Sequence, residues 1–122
     1  MTTQGEVFAR AIAARDAGAL RAVLADSVAF EALTPGRHWA STDADEVVDK
    51  IILGPWFGTH QGDIELCSVS TGQVGDCQEV GYRFRVRNAD GRHVVEQQAF
   101  LSPEDGRIGW MRVVCSGFRP VA

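Results

Sequence analysis

Three segments near the end of the chain, Glu79–Arg87, His93–Leu101 and Arg107–Cys115, alternate apolar and polar positions. Alternation of this kind marks strands that bury one face. They are joined by Asn88–Ala89–Asp90–Gly91 and Pro103–Glu104–Asp105–Gly106, and Asp-Gly is a strong tight-turn signal. The simplest closure of the first hairpin predicts pairs of Phe84 with Gln97, Tyr82 with Ala99 and Val86 with Val95. The second predicts Gln97 with Arg112, Ala99 with Trp110 and Leu101 with Ile108. One face then carries Val80, Tyr82, Phe84, Val86, Val95, Gln97, Ala99, Leu101, Ile108, Trp110, Arg112 and Val114. It is apolar except for Gln97 and Arg112, which this register makes neighbours. A greasy, aromatic face with one amide and one guanidinium resembles a small-molecule pocket more than a plain core. The other face carries Arg83, Arg85 and Arg87, with Arg85 opposite Glu96 and Arg83 opposite Gln98. Beyond them lie Phe100, Met111, Val113 and Cys115, and an apolar patch beside paired charges fits a dimer interface.

The first half of the chain reads as helical. Thr3-x-x-Glu6 is a capping box, and the helix after it presents Val7, Phe8, Ala11, Ile12 and Ala14 on a broad apolar side. Asp16 caps a short second helix carrying Leu20, Val23 and Leu24. Val28–Leu33 fits a strand, Thr34–Pro35–Gly36 a turn, and Arg37–Ser41 an irregular stretch. Asp43, with Glu46 after it, starts a third helix burying Val47, Val48, Ile51 and Ile52, and Gly54–Pro55 stops it. Trp56, Phe57 and His60 follow in a loop, and Asp63–Thr71 is a further strand. Helices grouped early and strands late, without βαβ alternation, predict an α+β fold.

At 122 residues the chain has the size of one domain, 1–122. A net charge of −4 with no basic stripe gives nucleic-acid binding little electrostatic support. No apolar run approaches a membrane span, and the N-terminal residues read as neither a basic leader nor a signal core. A cytoplasmic location follows by default. Eleven of the twelve basic residues are Arg, which points to a GC-rich bacterial genome. Cys67, Cys77 and Cys115 are odd in number and widely spaced, so free thiols are expected, with no metal site and no cofactor. Cys115 would become a nucleophile only beside a cation or a His.

Gln97 and Arg112 are the leading polar candidates. They could hold a carboxylate, enolate or carbonyl oxygen; alternatively Arg112 pairs with a carboxylate and only props the fold open. Phe30, Tyr82, Phe84 and Trp110 are either core or pocket walls, and Trp39 and Trp56, in loops, are candidates for the rim of a pocket. His38, His60 and Glu31 are the candidate general bases; a plain surface role is the alternative for both histidines. His93 reads as a surface residue.

The element order resembles the NTF2-like superfamily, which includes the SnoaL-like proteins, the ketosteroid isomerases and the limonene epoxide hydrolases. The resemblance is carried by the opening amphipathic helix, Leu20–Val28 running into the first strand, Pro35–Gly36, the helix after Asp43, and Asp105–Gly106–Arg107–Ile108. It implies a cone, also described as cystatin-like: three N-terminal helices packed on a curved, mainly antiparallel sheet around an apolar pocket. It also implies dimerisation through the outer sheet face. The isomerases' catalytic base falls on Ala32, with Glu31 one residue earlier, and their oxyanion Tyr and Asp have no counterpart. The Asp–Arg–Asp set of the epoxide hydrolases is likewise not evident. Three readings follow, the last a structural homodimer with a filled cone. One is an isomerase- or cyclase-type enzyme of small-molecule metabolism acting on a mainly apolar organic molecule with one polar oxygen group. Another is a non-catalytic ligand- or partner-binding homodimer.

Overall fold

In the computed structural model, which describes residues 3–121, helices come first: α1 (Gln4–Ala14) and α2 (Ala17–Val23). Then come β1 (Leu24–Thr34), β2 (Arg37–Ser41), α3 (Ala44–Glu46) and a π-helical run, Val47–Trp56. A 3₁₀ turn at Thr59–Gln61 leads to β3 (Asp63–Val74), β4 (Cys77–Asn88), β5 (Gly91–Glu104), β6 (Arg107–Cys115) and β7 (Arg119–Pro120). Each α-helix starts where a side chain supplies an acceptor for a free backbone N–H. Thr3 Oγ1 accepts from Glu6, Asp16 Oδ1 from Ala19 and Asp43 Oδ1 from Asp45, at 3.2, 3.0 and 2.9 Å. The Glu6 carboxylate accepts from Arg10 instead of closing the predicted capping box.

The strands form one sheet in the order β2-β1-β6-β5-β4-β3. β1 and β6 run parallel and the other neighbours antiparallel. β7 pairs with β5 at His93 and Val94, beyond the end of β6. Phe8, Ala9, Ala11 and Ile12 of α1 are buried against β3, β4 and β5. The fold is thus α+β, with three early helices on a mixed, mainly antiparallel sheet. The predicted irregular stretch Arg37–Ser41 is a strand, β1 begins at Leu24, inside the expected second helix, and β7 was not anticipated. The helical run kinks at Gly54, with φ −104° and ψ −108°, but continues through Pro55 to Trp56, so the Gly-Pro signal bends it rather than stopping it and Trp56 lies on it instead of in the expected loop.

The first hairpin has its turn at Ala89–Asp90, one residue earlier than the simplest closure. Asn88 Oδ1 accepts from the Asp90 N–H at 2.9 Å and fixes that choice. Tyr82 therefore faces Gln97, Phe84 faces Val95, and Arg83 rather than Arg85 lies opposite Glu96. A shift of this size keeps every side chain on its predicted face. The second hairpin turns at Asp105–Gly106, with φ values of 51° and 82°, as a tight Asp-Gly turn requires.

Past that turn the prediction fails. Pro103 faces Ile108 and Ser102 faces Trp110, leaving Gly109 as an extra residue in β6. Proline has no N–H for the ladder, and a side chain at Gly109 would meet Glu104 Cβ at 2.7 Å. Beyond this bulge the faces of β6 are exchanged. Met111, Val113 and Cys115 turn inward, and Trp110, Arg112 and Val114 turn outward. Arg112 sits opposite Phe100, not Gln97, whose partner is Cys115. The predicted Gln97–Arg112 pair does not exist, and Trp110 lines no interior wall. Met111 and Val113, expected on the outer patch, are 0% and 2% exposed. His93, expected on the surface, points inward and is 9% exposed. A second bulge, at Cys67, lies between Leu66 and Ser68 of β3.

Arg15 ends α1 in the left-handed region, with φ 50° and ψ 41°. From there its guanidinium donates to the carbonyls of Phe57 at 2.8 Å and Gly58 at 3.2 Å, and to that of Gly62. One side chain thus fixes the segment that carries Trp56 and Phe57 into the core. Hydrogen bonds from a charged donor are each worth about 1.5–3 kcal/mol. Arg15→Ala is therefore expected to lower stability by about 2–3 kcal/mol in urea unfolding. A loss below about 0.5 kcal/mol, the scale of an ordinary surface substitution, would show that the segment holds itself.

Candidate functional site

The core between the helices and the sheet is aromatic. Trp56 packs on Phe30, Trp39 and Phe57, with ring centroids 6.0, 5.9 and 6.5 Å apart. Phe57 continues to Phe84 at 5.2 Å and Phe118 at 5.9 Å. Phe84 meets Tyr82 at 5.3 Å, and Tyr82 meets Phe8 of α1 at 6.3 Å. Phe30, Trp56, Tyr82 and Phe84 are all buried. Trp39 is half-buried; its indole N–H donates to Thr34 Oγ1 at 2.8 Å, and Arg37 lies 3.6 Å over its ring.

Polar groups are set into this interior. The Tyr82 hydroxyl donates to Gln97 Oε1 at 2.6 Å, with Gln97 only 3% exposed. In the same inward row, Cys115 follows Gln97 across β5 and β6. Gln97 Nε2, Trp56 Nε1 and His93 Nδ1 are buried and have no hydrogen-bond partner among the described residues. Buried polar atoms are nearly always paired, so three without a partner are unusual. His93, edge-on to Phe118 at 6.1 Å, was missed because it directly follows a turn; its inward parity on β5 was the available signal.

The remaining candidates meet on the other side of the sheet. Glu31 Oε1 pairs with His38 Nε2 at 2.9 Å, and Glu31 Oε2 with the Arg112 guanidinium at 2.7 Å. Arg112 also donates to the carbonyls of Ala29 and Met111 at 2.9 and 3.0 Å, and lies 4.5 Å over the Trp110 ring. Its charge is fully answered by the protein, which is the structural alternative raised for it. His60 is exposed in its 3₁₀ turn. None of Glu31, His38 and His60 faces the interior. Among the described residues, no three His, Cys, Asp or Glu side chains cluster as a metal site would require.

Burial, and after it the neighbouring Cys115, pushes the Tyr82 phenol well above its ordinary value of 10.0. The unfolded chain releases this proton first, so the stability that Tyr82 contributes is intact below pH 10.0 and lost as pH rises beyond it. Tyr82 is the single tyrosine, which makes the effect directly readable. Phenolate absorbance should stay absent past that pH and emerge only together with loss of the circular-dichroism signal. A phenolate that titrates at its ordinary value in the folded protein would place Tyr82 in water.

No protein-family model and no curated protein matches the chain. Solved structures do. An NTF2-like protein from Burkholderia thailandensis E264 superposes with a TM-score of 0.71 at 16% identity, over 95% of this chain and 92% of that one. An LEH-like epoxide hydrolase from M. tuberculosis gives 0.64 at 17%, over 93% and 80%. A protein with the ketosteroid isomerase-like fold from Catenulispora acidiphila DSM 44928, in complex with trimethylamine, gives 0.65 at 15%, over 95% and 88%. Likeness at such identities carries architecture and no chemistry, and with the helices and sheet order described above it establishes that this chain has the NTF2-like fold.

Proposed function

We propose that the protein binds a small, mainly apolar organic molecule inside the cone, through one polar oxygen received by Gln97 beside Tyr82. The observation that carries this reading is the Gln97 amide. Its oxygen is occupied by Tyr82, and its buried N–H group has no partner among the described residues. An unsatisfied buried donor costs about 1–3 kcal/mol, which a ligand acceptor removes. The Trp56 indole N–H is a second such donor. Phe30, Trp56, Tyr82 and Phe84 supply the apolar walls, and Trp39, half-buried outside Trp56, stands at the way in. Trp110 and Arg112 belong to the opposite face and are left out of the site.

Binding without turnover is better supported than an isomerase or cyclase reaction. The candidate bases Glu31 and His38 are hydrogen-bonded to each other on the outer face, and His60 is in solvent. General-base catalysis needs the base within reach of the ligand's proton. A bacterial, cytoplasmic setting rests on composition alone. Cyclohexanone, cyclohexane and cyclohexanecarboxylate are matched probes, and tryptophan fluorescence reports their binding. The ketone is expected to bind best, by about 1 kcal/mol over the hydrocarbon, and Gln97→Met to erase that margin. Equal binding of ketone and hydrocarbon by the wild type sinks the proposal.

The protein is also proposed to be a homodimer through the outer sheet face. Leu33 and Val114, paired across β1 and β6, are each 53% exposed, with Phe100 and Trp110 half-buried nearby. These residues replace the interior Met111 and Val113 as the core of the expected interface. Contiguous exposed apolar side chains of this kind favour self-association. Sedimentation at micromolar concentration should give a dimer for the wild type and a monomer for Val114→Lys. A monomeric wild type overturns the proposal.

A further inference from the structure

Tyr82, Gln97 and Cys115 form one inward row across β4, β5 and β6. Side chains directly opposite one another in such a ladder have Cβ atoms about 4.5–5.5 Å apart. Gln97, 3% exposed, carries an unpartnered Nε2 and lies directly opposite Cys115 in this row. Tyr82 and Gln97 are buried, whereas Cys115, at the end of the row, is half-buried.

The three thiols differ in what surrounds the sulfur. Cys67 donates to the Glu65 carbonyl at 3.7 Å and lies 4.0 Å from the Glu65 carboxylate. Cys77 donates to the carbonyls of Gln78 and Leu101 at 3.5 and 3.7 Å. Cys115 instead accepts the Gly117 N–H at 3.3 Å, so a backbone partial charge stands where a cation or His was expected to activate it. An N–H aimed at sulfur stabilises the negative charge that sulfur carries when it attacks an electrophile. A carboxylate beside it does the opposite.

We propose that Cys115 is a covalent attachment site for α,β-unsaturated ketones entering the cone, with Gln97 receiving the ketone oxygen. The inference rests on the cone taking a small molecule. The sulfur anion attacks the β-carbon and a C–S bond forms. The C=C π pair moves through the carbonyl carbon to oxygen, giving an enolate that accepts the Gln97 N–H. The proton released by the thiol is returned from solvent to the α-carbon. The net change is addition of S–H across C=C, with no oxidant or reductant involved.

The test is peptide mapping by mass spectrometry after timed exposure of the full chain to 2-cyclohexen-1-one. Methyl methanethiosulfonate, a thiol reagent without a carbonyl, serves as the control. With the enone, Cys115 should be modified faster than the exposed Cys67. Gln97→Met should slow Cys115 about tenfold toward the enone, the scale of one lost hydrogen bond to a developing charge, and leave its rate with the thiosulfonate within twofold. The proposal is overturned if Cys67 outpaces Cys115 in the wild type, a comparison that needs no variant. It is equally overturned if Gln97→Met slows both reagents alike. Cyclohexanone binding by Cys115→Ser reports the cone alone. Binding there without any wild-type enone adduct removes the covalent site and leaves the pocket; no binding removes both.

Discussion

The division of this molecule into an interior and an outer face depends on one residue inserted into one strand. Gly109 has no partner on β5, because Pro103 cannot donate to the ladder and the register advances around it. Every side chain of β6 after that point changes sides. Met111 and Val113 complete the core, Cys115 joins Gln97, and Arg112 is delivered to a carboxylate on β1. Removing the bulge would bury a guanidinium among phenylalanines and expose a methionine. The energetic asymmetry between these two arrangements is large, so the bulge is enforced by the sequence on both sides of it.

Polar groups are placed by the same logic. Within the cone the row contributes a phenol and an amide, groups that hydrogen bonds can satisfy without a counter-charge. The guanidinium groups are kept where oxygen atoms are plentiful. Arg112 reaches a carboxylate and two carbonyls, and Arg15 reaches three carbonyls of a single loop. The Tyr82–Gln97 pair thus brings no formal charge inside, and the outer face of β1 and β6 carries the Glu31–Arg112 pair.

The helical caps at Thr3, Asp16 and Asp43 and the inward face of β4 were legible in the chain because they depend on local signals. Tyr82, Phe84 and Gln97 were placed correctly even though the first turn was off by one residue, since that displacement preserves alternation. Arg112 and Trp110 were misplaced because a bulge leaves only a faint trace. That trace is the apolar spacing Ile108, Met111, Val113, which skips a step where Gly109 stands. Strand β3 has the same signature, Ile64, Leu66, Val69, with Cys67 as its skipped residue. The Glu31–His38 pair could not be read because it depends on β2 folding back on β1, in a stretch that lacks strand alternation.

The sheet has two open margins, β2 and β3, and the second runs for 12 residues. A flat strand of that length is a template on which another chain can extend the ladder. The bulge at Cys67 interrupts its hydrogen-bonding rhythm near the middle, and Asp63 and Glu65 charge its first half. A foreign strand could align with one half only, and in the first half it would meet carboxylates. The irregularity in β3 thus acts as a guard against fibrous aggregation, keeping a long, solvent-facing margin from recruiting its neighbours.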